Sequence, residues 1–297
     1  MKQLVIEKGK GIITLSDLKL SVDEQTMGQK PINGIRHYEC FDKVLELCTK
    51  YNLNHIMDSI YVADGGSSNF PGITRIPKYE EEYGTDNIKA FILRRLIGRV
   101  MIEDFSDKIS DTAIGISFHQ GGIQLAYGQN VRICQNMCIF GGRLISSNKM
   151  ESISKMFEVL EHYIQNHEKQ REIDQTILNR MMEIPFSYED AIRMVGDLEI
   201  AAVNNAYRKG PTPPFNIGQV SKFTIKLLNE YDEIPVHSKN GDGMKLWNVY
   251  NIGTNLHKAT ESGDITNLMP MNQTLGNYIL KTYDFKDIID KYHLELN

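Results

Sequence analysis

The stretch DTAIGISFHQGGIQLAYGQNVRICQNMCIF (Asp111–Phe140) decides the fold, because apolar and polar residues alternate along most of its length. Such alternation is typical of β-strands that bury one face. Gly121 and Gly122 interrupt the pattern and predict a tight hairpin turn. Together with GRVMIEDFSD (Gly98–Asp107) just before it, the stretch predicts an antiparallel meander. We expect one face of this sheet to pack against the core and the other to stay open.

The residues before the meander predict a mixture of short strands and helices. QLVIE (Gln3–Glu7) and GIITL (Gly11–Leu15) flank the turn signal KGKG and predict a β-hairpin arm. HYECFDKVLELCTKYN (His37–Asn52) repeats apolar residues at helical spacing and predicts an amphipathic helix. HIMDSIYVA (His55–Ala63) predicts a strand, and DNIKAFILRRL (Asp86–Leu96) predicts about two turns of helix.

The second half of the chain is dominated by helical patterns. The apolar stripe from Asn148 to Ile184 predicts one long amphipathic helix that ends before Pro185. Ser187, with Asp190 shortly after it, predicts the N-terminal cap of the next helix. Further amphipathic helices are predicted within Val220–Tyr231, Met244–Thr260 and Gln273–Tyr283.

The predicted fold class is therefore α+β. An antiparallel β-meander in the N-terminal half packs with long helices, and the C-terminal half is mainly helical. We predict a β-rich half over residues 1–145 and a helical half over residues 146–297. The long helix could also pack across the sheet and make one continuous domain of the two.

Composition and charge restrict the classes of protein and the cellular locations that the sequence is compatible with. The chain has 297 residues and a formal net charge of −5, which disfavours a protein that coats nucleic acid through its overall charge. A local basic groove is compatible with that charge. The N-terminus, MKQLVIEKGKGIITL, has no apolar run typical of a signal peptide. No apolar run approaches the roughly 20 residues that span a bilayer. We expect a cytoplasmic protein without a membrane partner.

The cysteines have spacings that do not indicate zinc. Cys40 and Cys48 lie in the first predicted helix, whereas Cys134 and Cys138 would lie about 13 Å apart on a straight strand. We interpret all of them as buried free thiols, and we predict no metal and no cofactor. A metal site and a thiolate pair of Cys134 with His119 are the alternatives.

FGGRLISSN (Phe140–Asn148) combines glycine amides, a guanidinium and hydroxyls just ahead of the long predicted helix. This combination is compatible with an anion cradle for a nucleotide or another phosphate compound. The alternative is simply a well-capped start of the helix. No complete phosphate-binding loop is present, because neither this segment nor DGGSSNFPG (Asp64–Gly72) carries the required Lys-Ser/Thr pair.

Arginines cluster around the predicted meander and alternate with aromatic residues. Exposed aromatic side chains beside arginines are how single-stranded nucleic acid is commonly bound, by stacking and by charge. The candidate nucleic-acid-binding residues are Arg94, Arg95, Arg99, Tyr127, Arg132, Asn136 and Arg143. The alternative is that aromatic residues such as Phe118, Tyr127 and Phe140 belong to the core.

Two segments, VRICQNMCIFGG (131–142) and KLWNVYNIGTNLHKA (245–259), resemble an uncharacterised family of phage-borne and plasmid-borne proteins. The matching residues are Arg132, Cys134, Asn136, Trp247, Tyr250 and Asn251. YECFDKVLELCTKYNL (38–53) and AFILRRLIGRVMIEDF (90–105) are similar to segments in proteins of large phages of gut bacteria. The resemblance implies a role in DNA replication, in recombination or in conflict with the host, and it implies no catalytic residues.

These observations lead to two functional predictions. The first is a phage or mobile-element accessory protein that binds single-stranded DNA in replication or recombination, without catalytic activity. The second is a protein-binding factor, for example an inhibitor of a host defence system or a self-assembling accessory protein. Its partner would be a host protein or another copy of the same chain.

Overall fold

The computed structural model describes residues 10–16, 22–23, 35, 37–57, 60–63, 74–75, 95–103, 110–119, 122–131, 137–146, 152–207, 220–229, 243–255 and 268–296. The strands are β1 (Lys10–Ile13), β2 (Val22–Asp23), β3 (His55–Met57), β4 (Ile60–Ala63), β5 (Thr74–Arg75), β6 (Arg95–Ile102), β7 (Ser110–His119), β8 (Gly122–Val131), β9 (Met137–Cys138) and β10 (Leu144–Ser146). The helices are α1 (His37–Lys50), α2 (Ile153–Gln165), α3 (His167–Glu183), α4 (Tyr188–Tyr207), α5 (220–229), α6 (Leu246–Asn255), α7 (Leu268–Thr282) and α8 (Lys286–Tyr292).

The predicted α+β class with its antiparallel meander is confirmed. An eight-stranded sheet runs in the order β1-β4-β6-β7-β8-β10, with β3 beside β6 and β9 beside β8. His119 pairs with Gly122, so only two residues connect β7 to β8, as the Gly-Gly signal predicts. β2 and β5 form a separate two-stranded sheet. The predicted hairpin arm is not testable, since Gln3–Glu7 lies outside the described residues, and β1 pairs with β4.

The expectation of one open sheet face is wrong, because both faces of the central strands are buried. Along β7, every residue from 112 to 118 is buried, although consecutive residues point to opposite faces. On one face, the row formed by Val100, Ile114 and Tyr127 packs against α1 and α2. On the other face, Met101 and Ala113 pack in a cluster with Ile139 and with Met269 of α7.

The helices after the sheet form their own apolar core, which continues into the segment after β8. This core draws on α3 to α8 and includes Cys138 of β9 and Phe140. The ring centroids of Phe140 and of Tyr250 on α6 are 5.6 Å apart. Residues on both sides of position 145 therefore pack together. The division at that position stays a prediction.

Three elements differ from the sequence-based expectation. The helix predicted from 148 to 184 is two helices, because the Asn166 side-chain amide donates to the His162 carbonyl at 2.8 Å where α2 ends and α3 begins. Arg95 and Leu96, predicted as helical, begin β6. The strand predicted across 130–140 is also wrong, because 130–131 belongs to β8 and β9 returns antiparallel to it.

Ser187 and Asp190 cap the N-terminal end of α4. The Ser187 hydroxyl accepts from the Asp190 backbone N–H at 3.1 Å, and the Asp190 carboxylate accepts from the Ser187 backbone N–H at 3.0 Å. The predicted cap of α4 is therefore confirmed. Within the described ranges, no helix is long and apolar enough to cross a membrane.

Candidate functional site

The predicted nucleic-acid-binding residues lie in different environments. Tyr127 is fully buried in β8, and Arg143, just before β10, is 3% exposed. Neither side chain is accessible to a ligand on the surface in this structure. Arg99 is half-buried in β6, and of Arg95 only the position in the strand is described. Arg94, Arg132 and Asn136 lie outside the described residues.

Arg143 forms a buried ion pair with Asp174 of α3. Its Nη1 atom lies 2.5 Å from Asp174 Oδ1, and the two side chains are 4% and 0% exposed. Arg143 is opposite Tyr127 of the neighbouring strand β8. The backbone N–H of Tyr127 donates to the Arg143 carbonyl at 3.2 Å. The pair therefore connects the edge of the sheet to the helix that covers it.

Further buried polar side chains extend this pair into a network. The Tyr127 hydroxyl lies 2.8 Å from His167 Nδ1, at the start of α3. On the same sheet face, Gln129 Nε2 donates to Thr112 Oγ1 at 3.1 Å. The Ser110 hydroxyl donates to Gln129 Oε1 at 3.2 Å. Buried polar groups are costly without partners, so the Tyr127–His167 bond and the Arg143–Asp174 pair favour one position of α3 on the sheet, whereas the bonds of Gln129 connect β7 to β8.

Burial governs the protonation of this network. Desolvation raises the pKa of Asp174 above its usual value, and the opposing effect of the Arg143 guanidinium is smaller. Desolvation also lowers the pKa of His167, which favours its neutral form. The pKa of Tyr127 is raised by burial, so its hydroxyl stays protonated. The network has the character of a structural polar core, since each member is enclosed by the protein.

The Gly-Gly-Arg segment is held by α6 and α7 and does not form an anion cradle in this structure. The Gly141 N–H donates to Asn277 Oδ1 at 2.8 Å, and its carbonyl accepts from the side-chain amide of Gln273. The Tyr250 hydroxyl accepts from the Ile139 N–H at 3.2 Å. Gly141 has φ +63°, a left-handed conformation that glycine adopts without strain.

The helix after this segment begins later than the predicted start at Asn148. α2 starts at Ile153, where the Ser152 hydroxyl accepts from the Lys155 N–H at 3.2 Å. The cap that the structure shows is therefore Ser152, which lies outside the segment FGGRLISSN, and the alternative of a capped helix start within that segment stays a prediction. Ser147 and Asn148 lie outside the described residues.

The cysteines that the structure describes are buried free thiols, as predicted. They are Cys40, Cys48 and Cys138. Burial raises the pKa of Cys48 to about 12, so this thiol is not activated as a nucleophile. Cys134 and the His119 side chain are outside the described part of the chain. In the described part, no three His, Cys, Asp or Glu side chains are grouped to hold a metal ion.

A shallow groove between α1 and α2 is acidic. Glu39, Glu158 and Glu161 line it together with Lys43. Glu161 accepts from Lys50 Nζ at 2.5 Å and from the Tyr51 hydroxyl at 2.9 Å, which ties α1 to α2. An excess of carboxylates disfavours the binding of phosphate groups, so this groove does not support the nucleic-acid prediction.

The most unusual exposed feature of the described surface is on α4. Its inner side is buried in the helical core through Ala191, Met194, Leu198 and Ala202. Its opposite side exposes Ile192 by 57%, Ile200 by 61% and Val203 by 40%. Gly196 lies between the isoleucines, and Tyr188, which is 47% exposed, precedes them. We call the surface formed by Ile192, Gly196, Ile200 and Val203 the outer face of α4.

The sequence contained a signal for this surface that the functional prediction did not use. Helical spacing places Ile192, Gly196, Ile200 and Val203 within one sector of α4, while the core residues occupy the opposite sector. A helix with apolar residues on both sides has more apolar surface than one core contact buries. Which side faces the core is decided only by tertiary packing.

The comparisons with known proteins leave the family open. No protein-family model, no curated protein and no solved structure matches this chain. The resemblance to phage-borne and plasmid-borne proteins stays a prediction. In the structure, its matching residues Trp247 and Tyr250 stack at 6.3 Å on α6, where Tyr250 is fully buried.

Proposed function

We propose that this chain is a protein-binding factor whose contact surface is the outer face of α4. The observation that carries the proposal is the exposure of Ile192, Ile200 and Val203 within one sector of one helix. Single exposed apolar residues are common on soluble proteins, but several on one helix face mark a contact surface.

Burial of this surface would be favourable. Full burial of an isoleucine side chain contributes about 1.5–3 kcal/mol of favourable free energy. Ile192 and Ile200 are each more than half exposed, so much of this free energy is still to be gained on binding. Helix faces with apolar residues at this spacing are a common means of protein recognition. The proposal makes the chain an accessory protein that acts through contacts in the cytoplasm of the bacterium that makes it.

A photo-crosslinking experiment tests the contact surface. A photo-reactive amino acid is introduced at Ile192 in one variant and at Ile200 in another, and the chain is expressed in its host. We expect specific crosslinked adducts from both positions. The matched control carries the same amino acid at Lys169, an exposed position on α3, and should give none of them. If Ile192 and Ile200 give no adduct beyond those of Lys169, the proposal is wrong.

Binding of single-stranded DNA is a second proposal, supported by the arginine cluster and the resemblance. With Tyr127 and Arg143 in the core, it rests on Arg94, Arg95, Arg99, Arg132 and Asn136. Among these, the Arg99 guanidinium donates to Asn130 Oδ1 at 2.8 Å. Fluorescence anisotropy with a labelled oligonucleotide should show binding that weakens as salt rises. Absence of salt-sensitive binding at micromolar protein would exclude this proposal.

A further inference from the structure

We infer that the outer face of α4 binds a positively charged amphipathic helix of a partner protein. The inference rests on the proposed function and names the chemistry of the partner. It is carried by the shape of this face, by the carboxylates beside it and by the partners that the other charged side chains of α4 already have within the chain.

The apolar part of the face is a row with a low point in its middle. Ile192, Gly196 and Ile200 follow one another at intervals of four residues, so they lie in one row along the helix. A Cβ atom built at Gly196 would meet no heavy atom within 4 Å, apart from its chain neighbours and the backbone of its own helix. The space between the two isoleucines is therefore open to a large apolar side chain of a partner.

A helix is the form of partner segment that this row accommodates. A helix satisfies its own backbone N–H and C=O groups, whereas an extended segment lying along α4 would leave many of its own without partners. Side chains at four-residue intervals on a partner helix form a ridge of the same spacing, which fits beside the row of Ile192, Gly196 and Ile200. Recognition between apolar helix faces commonly uses this spacing.

Carboxylates outnumber basic groups along α4. Its charged residues are Glu189, Asp190, Arg193, Asp197 and Glu199. The guanidinium of Arg193 lies 3.7 Å from the carboxylate of Asp190. Asp197 accepts a hydrogen bond from the Tyr278 hydroxyl at 2.7 Å. The positive charge of this helix and one of its carboxylates are thus already engaged with each other, and another carboxylate is held by a tyrosine.

Glu189 and Glu199 are the remaining carboxylates, and both lie beside the apolar row. Glu189 precedes Gly196 by seven residues, or two turns, on the same side of the helix, and Glu199 follows it by three. Both are exposed, and neither is paired with a basic side chain of the described residues. Glu189 lies in the first turn, where a carboxylate also stabilises the helix dipole, whereas Glu199 lies beyond that turn.

The two carboxylates select the charge of the partner. They are ten residues apart, which is about 15 Å along the axis, so both would border a helix that lies on Ile192 and Ile200. A neutral partner would remove water from them without supplying a counter-charge, which is unfavourable. Lysine or arginine side chains at the edges of a partner helix supply that charge. Nucleic acid, an anionic lipid surface and the same face of a second copy would all be repelled.

The first test uses two labelled synthetic peptides, each a helix of about five turns with the same leucine stripe. One carries lysines on its polar face, and the other carries glutamates. By fluorescence anisotropy with the full chain at low salt, we expect the lysine peptide to bind about tenfold or more tightly than the glutamate peptide, and the difference to shrink as salt rises. Equal affinities, or no binding of the lysine peptide at micromolar protein, would overturn the inference.

Substitutions show whether the lysine peptide lies on α4. Glu199→Lys should weaken its binding about threefold or more, and should strengthen that of the glutamate peptide. Ile192→Ser/Ile200→Ser should weaken the binding of both peptides, because both use the apolar row. The matched control is Glu158→Lys, which makes the same change of charge at an exposed position of α2. If this control weakens binding as much as Glu199→Lys does, the inference is wrong. Circular dichroism verifies that each variant is folded.

The photo-crosslinking experiment distinguishes this inference from the function on which it rests. Mass spectrometry of the digested adducts identifies the segment that is joined to positions 192 and 200. A partner segment with an excess of lysine and arginine supports both statements. A segment without that excess, or α4 of a second copy, supports the contact surface but overturns the inference. If the two positions give no specific adduct, both statements are wrong.

Discussion

The buried ion pair of Arg143 and Asp174 provides the sharpest test of how this fold is held together. In Asp174→Asn, the guanidinium keeps its charge in a site where its side chain is only 4% exposed. Removal of one partner of a buried pair costs about 3–5 kcal/mol of the free energy of unfolding. At about 2.1 cal/mol/K of unfolding entropy per residue, that loss lowers the melting temperature of a chain of 297 residues by roughly 5–8 °C.

The complementary variant and the double variant show whether the two charges act together. Arg143→Met leaves a buried carboxylate, whereas Arg143→Met/Asp174→Asn leaves neither charge. We expect the double variant to be more stable than the sum of the single losses implies, by about 2 kcal/mol or more. The matched control is Asp287→Asn, which breaks the exposed pair with Arg180 at 2.9 Å and should cost under about 1 kcal/mol.

The pH dependence of Arg143→Met follows from the raised pKa of Asp174. A carboxyl whose pKa is higher in the folded than in the unfolded state stabilises the fold at low pH, and this contribution is lost as pH rises through the folded pKa. Without the guanidinium, the pKa of Asp174 rises further. The stability deficit of Arg143→Met should therefore shrink as pH falls from neutral towards the acidic range.

Urea unfolding followed by circular dichroism measures all of these variants. If Asp174→Asn costs no more than the exposed control, or if the single losses simply add, the buried pair is not a coupled unit. A deficit of Arg143→Met that grows on acidification would contradict the assigned direction of the Asp174 pKa.

Further predictions concern substitutions at four single positions. Burial holds the pKa of His167 below its usual value of 6.5, so the unfolded chain takes up a proton at a higher pH than the folded chain does. The free energy of unfolding should therefore fall as pH drops below about 6.5. His167→Gln should lose this dependence in thermal unfolding measured at acidic and at neutral pH. Gly128→Ala places a Cβ against the Cys138 carbonyl oxygen and should lower the free energy of unfolding by about 1–3 kcal/mol, as measured in urea. Gly196→Ala lies at an open position of a helix and should raise the free energy of unfolding by about 0.5–1 kcal/mol. Ser187→Ala removes the cap of α4 and should cost about 0.5–2 kcal/mol by the same assay. A neutral Gly128→Ala, a neutral Ser187→Ala or a pH profile unchanged by His167→Gln would each contradict its prediction.

Local patterns predicted the class of the fold and many of its elements. Alternation and the Gly-Gly turn predicted β7 and β8, and helical spacing predicted α1 and the capped start of α4. These features depend on neighbours within a few residues, which the sequence displays directly. The end of α2 at Asn166 is not predicted because the apolar stripe continues past it, whereas the break is marked by the backbone and side-chain bonds of Asn166 to the His162 carbonyl.

The candidate sites depended on information that the sequence does not display. From the sequence, Tyr127 could lie on an exposed surface or in the core, and no pattern indicates that Arg143 is buried beside Asp174; the burial of Tyr127 and the Arg143–Asp174 ion pair are decided by tertiary packing. That contact joins residues 31 positions apart, and no local pattern encodes it. The sequence by itself determined an α+β chain whose α4 carries apolar residues on two sides. Only the tertiary structure decided which side is exposed, because burial depends on which elements pack together and not on the order of residues within one helix.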